Sequence, residues 1–124
     1  MDGKKFRWVK LPSGTGVLLG KNAEQNEELV NNFMGKNNII LHTAEPGSPF
    51  CVIEDMNPSK LDITNGGAIC AKYSQDWRDN KGDVKVHKFT GKDVYKDDNM
   101  KLGTFGIKDF KVIEIKKKDI EKCQ

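Results

Sequence analysis

The sequence predicts an α+β domain: a largely antiparallel sheet of short strands with two helices packed on one side of it. Three observations lead there. Short apolar runs alternate with tight-turn chemistry, as in Pro12-Ser13-Gly14-Thr15-Gly16 before Val17-Leu18-Leu19 and Glu45-Pro46-Gly47-Ser48-Pro49 before Phe50-Cys51-Val52-Ile53. Strands joined by turns that short pair antiparallel. Two longer stretches, near Ala23 and Leu61, carry helical spacing instead. A chain of 124 residues is the size of one domain, assigned to residues 1–118, with 119–124 as a polar tail.

Taken in order, Lys5 to Leu11 alternates as a strand, with Trp8 expected in the core, and Val17 to Leu19 returns as its hairpin partner. Gly14-Thr15-Gly16 with Gly20 has the look of a phosphate loop. A strand follows it, however, and no Gly-Lys-Ser/Thr is present, so it reads as a turn. The first helix runs from about Ala23 to Phe33 or Met34. Asn22 is its N-cap and Gln25 completes a capping-box spacing. Leu29, Val30 and Phe33 form the inward stripe, and Gly35 supplies the stop. Asn38 to Thr43 and Phe50 to Ile53 are strands; Ile39-Ile40-Leu41 is apolar enough for burial on both faces. Helical spacing resumes between Leu61 and Asp76, where Gly66 and Gly67 leave two readings: a start after Gly67, or glycines that admit close packing. Beyond a turn at Asp79-Asn80-Lys81-Gly82, strands are expected at Val84 to Phe89, Val94-Tyr95, Leu102 to Lys108 and Phe110 to Lys116. The end of the chain reads as a solvated tail or frayed helix.

Hydrophobic residues make up 36% of the chain and charged ones 31%, a polar globule. No apolar run approaches the ~20 residues of a membrane span, and Met1-Asp2-Gly3-Lys4-Lys5 is not followed by a signal-peptide core. Three widely spaced cysteines suggest neither a disulfide framework nor a zinc site, so reduced thiols and a cytoplasmic location are expected. Net charge is only +3, but it is unevenly spread: +4 over residues 1–21, −5 over 22–62 and +5 over 81–118. Such a chain is expected to present differently signed faces.

The string Gly20-Lys21-Asn22-Ala23-Glu24-Gln25-Asn26-Glu27-Glu28-Leu29, with Asn38-Ile39-Ile40-Leu41-His42 and Pro46-Gly47-Ser48 after it, resembles the NFACT RNA-binding domain. That module ends fibronectin-binding-protein-A-like and ribosome quality-control proteins and also occurs alone. The family pattern is G-(R/K)-N-A-x-Q-N-(D/E)-x-L, then D-x-W-(F/L)-H, then P-G-S-H. The chain keeps the first block and His42, but has Asn38, Ile40 and Pro49 where the family has Asp, Trp and His. Ala71-Lys72-Tyr73-Ser74 is similar to A-x-Y-S, and Val84-Lys85-Val86 to V-x-V. Lys92, Val94, Lys96, Lys101 and Gly103 match a basic segment in which Leu102 replaces Pro, so the resemblance spans about residues 16–118.

The resemblance implies a non-catalytic RNA-binding module whose partners are tRNA or ribosomal RNA and the large ribosomal subunit, which full-length relatives engage in rescuing stalled ribosomes. Those relatives join the module to other domains, so extension of stalled nascent chains is not carried over. The residues expected at the RNA are Asn22, Gln25, Asn26, His42, Ser48, Arg78, Lys88, Lys92, Lys96 and Lys101. The lysines crowd one antiparallel segment with Phe89 and Tyr95, a pattern suited to phosphates and unpaired bases, although lysine also serves simply to solvate a sheet edge. Trp77-Arg78 is expected at the surface. Ser48 near His42 has neither a G-x-S-x-G elbow nor an orienting carboxylate, so no hydrolase is expected. Asp97-Asp98-Asn99 lacks the Gly and distal Glu of a calcium loop, and no metal or cofactor is expected. The competing function is a protein-interaction domain that binds through its acidic helix or a sheet edge.

Overall fold

A computed structural model describes residues 5–123; the segment Met1–Lys4, read above for a leader, and Gln124 of the expected tail lie outside the described residues. The order is β1 (Arg7–Lys10), β2 (Gly16–Leu19), α1 (Ala23–Phe33), β3 (Ile39–Thr43), β4 (Cys51–Ile53), α2 (Lys60–Lys72), α3 (Gln75–Asn80), β5 (Val84–Thr90), a 3-10 turn Gly91–Asp93, β6 (Val94–Tyr95), β7 (Gly106–Ile107), β8 (Lys111–Ile115) and α4 (Lys117–Glu121). Six strands form one antiparallel sheet in the order β1-β2-β4-β3-β5-β8, and β6 and β7 form a separate ribbon. The turn chemistry at Pro46-Gly47-Ser48 does pair its flanking runs: Ile40 lies opposite Val52 and Leu41 opposite Cys51.

The helices divide between the two faces, not one side as expected. Side chains of a strand alternate in direction, so consecutive residues that are all buried require cover above and below. Val17, Leu18 and Leu19 are each at most 1% exposed, which forces that arrangement. On one face Val17, Leu19, Leu41, Cys51, Ile53, Val84 and Val86 pack with Ala68 to Ala71 of α2, Trp77 of α3 and Ile120 of α4. On the other, Leu18, Ile40, Val52 and Phe89 pack with Leu29, Val30 and Phe33 of α1 and with Val94 and Ile107 of the ribbon.

Helix α2 starts at Lys60, before its glycines. Ser59 caps it with a reciprocal box: its hydroxyl accepts from Asp62 N at 3.0 Å, while the Asp62 carboxylate accepts from Ser59 N at 3.1 Å. Gly66 and Gly67 mark where the helix lies on the sheet. A Cβ on Gly66 would stand 3.3 Å from Leu41 Cδ1, and one on Gly67 2.6 Å from Ile115 Cδ1. The second reading of the glycines therefore holds: close approach offsets the ~1 kcal/mol that each costs in a helix interior.

Two expectations at the surface are reversed. Trp8 is 48% exposed and donates its indole N–H to Glu54, whereas Trp77 is buried against α2. Beyond β8 the chain does not trail into solvent: α4 carries Ile120 fully buried beneath α2. Cys51 and Cys70 are buried and unbridged, as small apolar side chains.

Candidate nucleic-acid interface

The motif residues of the first block build a corner. Asn22 Oδ1 accepts from Gln25 N at 2.9 Å, the expected N-cap. Gln25 reaches back one residue further than a capping box does, accepting from Lys21 N at 3.0 Å and donating to Lys5 O at 2.9 Å. Asn26 Oδ1 accepts from Phe50 N at 3.2 Å and so ties α1 to the start of β4. Gly20 is required beside it, because a Cβ there would lie 2.1 Å from that same Asn26 oxygen. Replacing Asn22 by Ala should therefore lower stability by about 1 kcal/mol, read as a lower melting temperature.

The Pro46-Gly47-Ser48 turn docks against the start of α3, across from this corner. Gly47 has φ +92°, and a Cβ on it would sit 2.8 Å from Cβ of Gln75. Its carbonyl accepts from Gln75 N at 2.8 Å, which fixes the N-terminus of α3. Ser48 Oγ accepts from Thr43 N at 3.0 Å and faces the Pro49 carbonyl at 3.1 Å. His42 Nδ1 lies 2.8 Å from Thr43 O, so Nδ1 carries the proton and Nε2 is the acceptor in the neutral ring. Burial pushes the His42 pKa below its ordinary value, which favours that neutral form. Neither side chain engages the other in a nucleophile–base bond.

Between the corner, the turn and the α2–α3 junction lies a cleft of about 520 Å³. Four predicted residues, Asn22, Asn26, Ser48 and Arg78, line it together with Arg7, Lys21 and Tyr73. The Arg7 guanidinium stands 4.3 Å over the Tyr73 ring, and Arg78 donates to Gln75 Oε1 at 3.0 Å. Among the described residues none of Arg7, Lys21 and Arg78 is in an ion pair. Three cations thus surround the positive end of an 11-residue helix, where an anion is favoured. Gly103 and Thr104 close the cleft and also line a second, more apolar one of about 290 Å³ built around His42, Phe50, His87 and Phe105.

The lysine segment does not converge in the same way. The Lys96 ammonium bonds Glu27 at 2.8 Å and the carbonyls of Lys101 and Thr104, each at 2.7 Å. An ammonium has three donors, and all are engaged, so Lys96 tethers its loop to α1 and is not an open phosphate contact. Its ammonium, followed by the Gly103 N–H, holds the Glu27 carboxyl below its ordinary pKa. Lys96→Met should cost about 1–2 kcal/mol of stability, visible in denaturant melts, by stranding Glu27. Lys101 is exposed beside Leu102 at the cleft; Lys92 is exposed on the 3-10 turn; Lys88 is half-buried in a separate pocket with Asp93 and Phe110. Phe89 is in the core, while Tyr95 is 42% exposed with its ring against Gly106.

Arg7, Lys21 and Tyr73 were absent from the predicted site. The +4 charge of residues 1–21 was the available signal for the first two, and the A-x-Y-S match for the third. The family departures fit the fold. Asn38 Nδ2 donates to the carbonyls of Ile53 and Glu54 at 3.1 and 3.2 Å, which an ionised Asp could not do, and Ile40 fills the core under α1. No group of three or more metal-binding side chains occurs among the described residues, nor is any described helix long and apolar enough to cross a membrane.

Comparison with solved structures finds the same fold in the C-terminal part of the fibronectin/fibrinogen-binding protein from Streptococcus suis, with a TM-score of 0.83 at 22% identity. That match covers 98% of this chain and 50% of the other, so the chain spans about half the length of that structure. No curated protein matches the chain. A family model described as the NFACT protein RNA binding domain matches residues 5–109. With most of its length matched, the chain belongs to the NFACT RNA-binding domain family.

Proposed function

We propose that this chain is a non-catalytic, ribosome-associated RNA-binding module that takes tRNA or ribosomal RNA at the cleft between α1 and the α2–α3 junction. The observation that carries this is the convergence of Arg7, Lys21 and Arg78 on the N-terminal end of α1, in a cleft that also gathers the motif residues Asn22, Asn26 and Ser48. Arginine suits phosphate because its planar fork can bond two oxygens, and Lys21 adds a point charge. Lys101 extends the positive rim; Lys88 and Lys92 serve as outlying backbone contacts where an extended RNA runs past the cleft. Gln25 acts by holding the corner, and His42 by lining the neighbouring cleft. A cytoplasmic location follows for a protein that works on ribosomes.

The competing interaction-domain reading is weakened by the acidic helix itself. Glu27 is engaged by Lys96, and Glu28 by Lys5 at 2.6 Å, so two of its carboxylates are already paired. The test is titration of tRNA and of isolated large ribosomal subunits at several salt concentrations. Saturable binding of either, with a log-affinity that falls linearly against log salt, supports the proposal. Absence of binding to both at low salt, with the protein folded, would refute it.

A further inference from the structure

Two clefts share one wall. Gly103 and Thr104 line both the cationic cleft and the aromatic one, so the two open on either side of a single backbone segment. That segment is held in place: Gly103 N donates to Glu27 at 2.7 Å, and the Thr104 carbonyl accepts from Lys96. Gly103, at φ +80°, also approaches Ala23 so closely that a Cβ would meet its backbone at 2.9 Å. The distance from helix end to aromatic cleft is therefore set by a tethered turn.

The aromatic cleft has the composition of a ring-binding site. The His42 ring lies 4.4 Å from that of Phe50, tilted by 39°, and Phe50 meets Phe105 edge-on at 5.6 Å. At about 290 Å³ it is at the small end of ligand sites, room for one flat ring system. Polar groups are present beside the rings: the Nε2 lone pair of neutral His42, and the Thr104 hydroxyl, which is committed to Lys101 O at 2.7 Å. A cationic cleft for phosphate and an adjoining aromatic cleft for a planar heterocycle match the two halves of a nucleotide.

Resting on the RNA-binding reading above, we infer that the site takes one unpaired nucleotide of an RNA, with its phosphate at Arg7, Lys21 and Arg78 and its base in the cleft of His42, Phe50 and Phe105. Phosphate contacts of this kind position the strand, and the base cleft selects single-stranded or flipped-out positions over duplex. The preference is for unpaired RNA, because a base held in a helix cannot enter.

The test compares a short single-stranded RNA, the same RNA in a duplex, and a matched oligonucleotide carrying abasic positions, each against the wild-type chain and Phe105→Leu. The wild type should bind the single strand more tightly than either of the others, by about 5- to 150-fold, the effect of one stacked base. Phe105→Leu should remove most of that difference while leaving abasic affinity and the salt slope unchanged, since stacking releases no counterions. Equal wild-type affinity for the based and abasic strands overturns the base cleft while leaving RNA binding intact. Loss of affinity for all three in Phe105→Leu also overturns it, assigning Phe105 a structural role. Binding to none of the three removes this inference and the function it rests on together.

Discussion

Changing Arg7, Lys21 and Arg78 together to Gln should flatten the dependence of log RNA affinity on log salt by about two units. Each neutralised phosphate on a single strand contributes ~0.7 to that slope, and three cations border the cleft. At low salt, affinity should fall for every RNA sequence alike, since the lost contacts are to phosphate. Folding should survive, as all three side chains are exposed. The largest structural loss is the Arg7–Tyr73 contact, ~0.5–1 kcal/mol at an exposed site. A charge-matched control, Lys117, Lys118 and Lys122 to Gln, removes the same net charge from exposed positions on α4 and its C-terminal cap. It should leave the slope near wild type. Salt titrations of both triple variants check the expectation, and equal slopes would move the interface away from the cleft.

The largest expected effect on stability comes from Gly91→Ala. Gly91 opens the 3-10 turn after β5, and its carbonyl accepts from Gly35 N at 2.9 Å just past the end of α1. A Cβ there would be placed 1.8 Å from Phe33 O and 2.9 Å from Lys36 O. Both obstacles are backbone, so no rotamer relieves the clash; α1 or the turn must shift. Overpacking in a rigid setting costs about 3 kcal/mol or more, a large part of the usual stability of a small domain. Gly82→Ala is the control: its nearest neighbour would be 4.0 Å away and its φ is ordinary, so it should be neutral or slightly stabilising. Denaturant melts of the two variants should differ in midpoint in that order.

The elements most legible in the sequence were those with local causes. The N-cap at Asn22, the stripe Leu29-Val30-Phe33 and the β3–β4 hairpin each follow from residues within a few positions of one another. The apolar run Ile39-Ile40-Leu41 correctly signalled a strand buried on both faces, but not which helix covers which face. That assignment depends on packing between elements far apart in sequence. Helix α3 was hidden because Gln75-Asp76-Trp77-Arg78-Asp79-Asn80 has a single apolar residue, and its start is fixed by Ser74 and by the Gly47 carbonyl across the fold. For α4 the sequence left a solvated tail or a frayed helix open, and its docking was hidden for the same reason, with Ile120 alone among lysines and acids.

The candidate site divides along the same line. Asn22, Asn26 and Ser48 were expected from motifs and Arg78 from its place beside Trp77, and the fold brings these four to one cleft. The lysines were grouped by nearness in sequence, which an antiparallel chain does not translate into nearness in space. Lys96 finds its carboxylate partner 69 positions away, at Glu27. Arg7 reaches the cleft only because β1 borders β2 and its side chain crosses to Tyr73. No local pattern announces such a contact.

The central claim, that RNA is held at the end of α1 between Arg7 and Arg78, is tested most directly by following backbone amide resonances during titration with a short single-stranded RNA. The account predicts that shifts concentrate at Arg7, at Gly20 to Asn26, at Gly47-Ser48, at Tyr73 to Arg78 and at Gly103-Thr104, while the exposed edge of β8 stays still. Saturating RNA that moves β8 or the outer face of α1 and leaves those amides unchanged would contradict it.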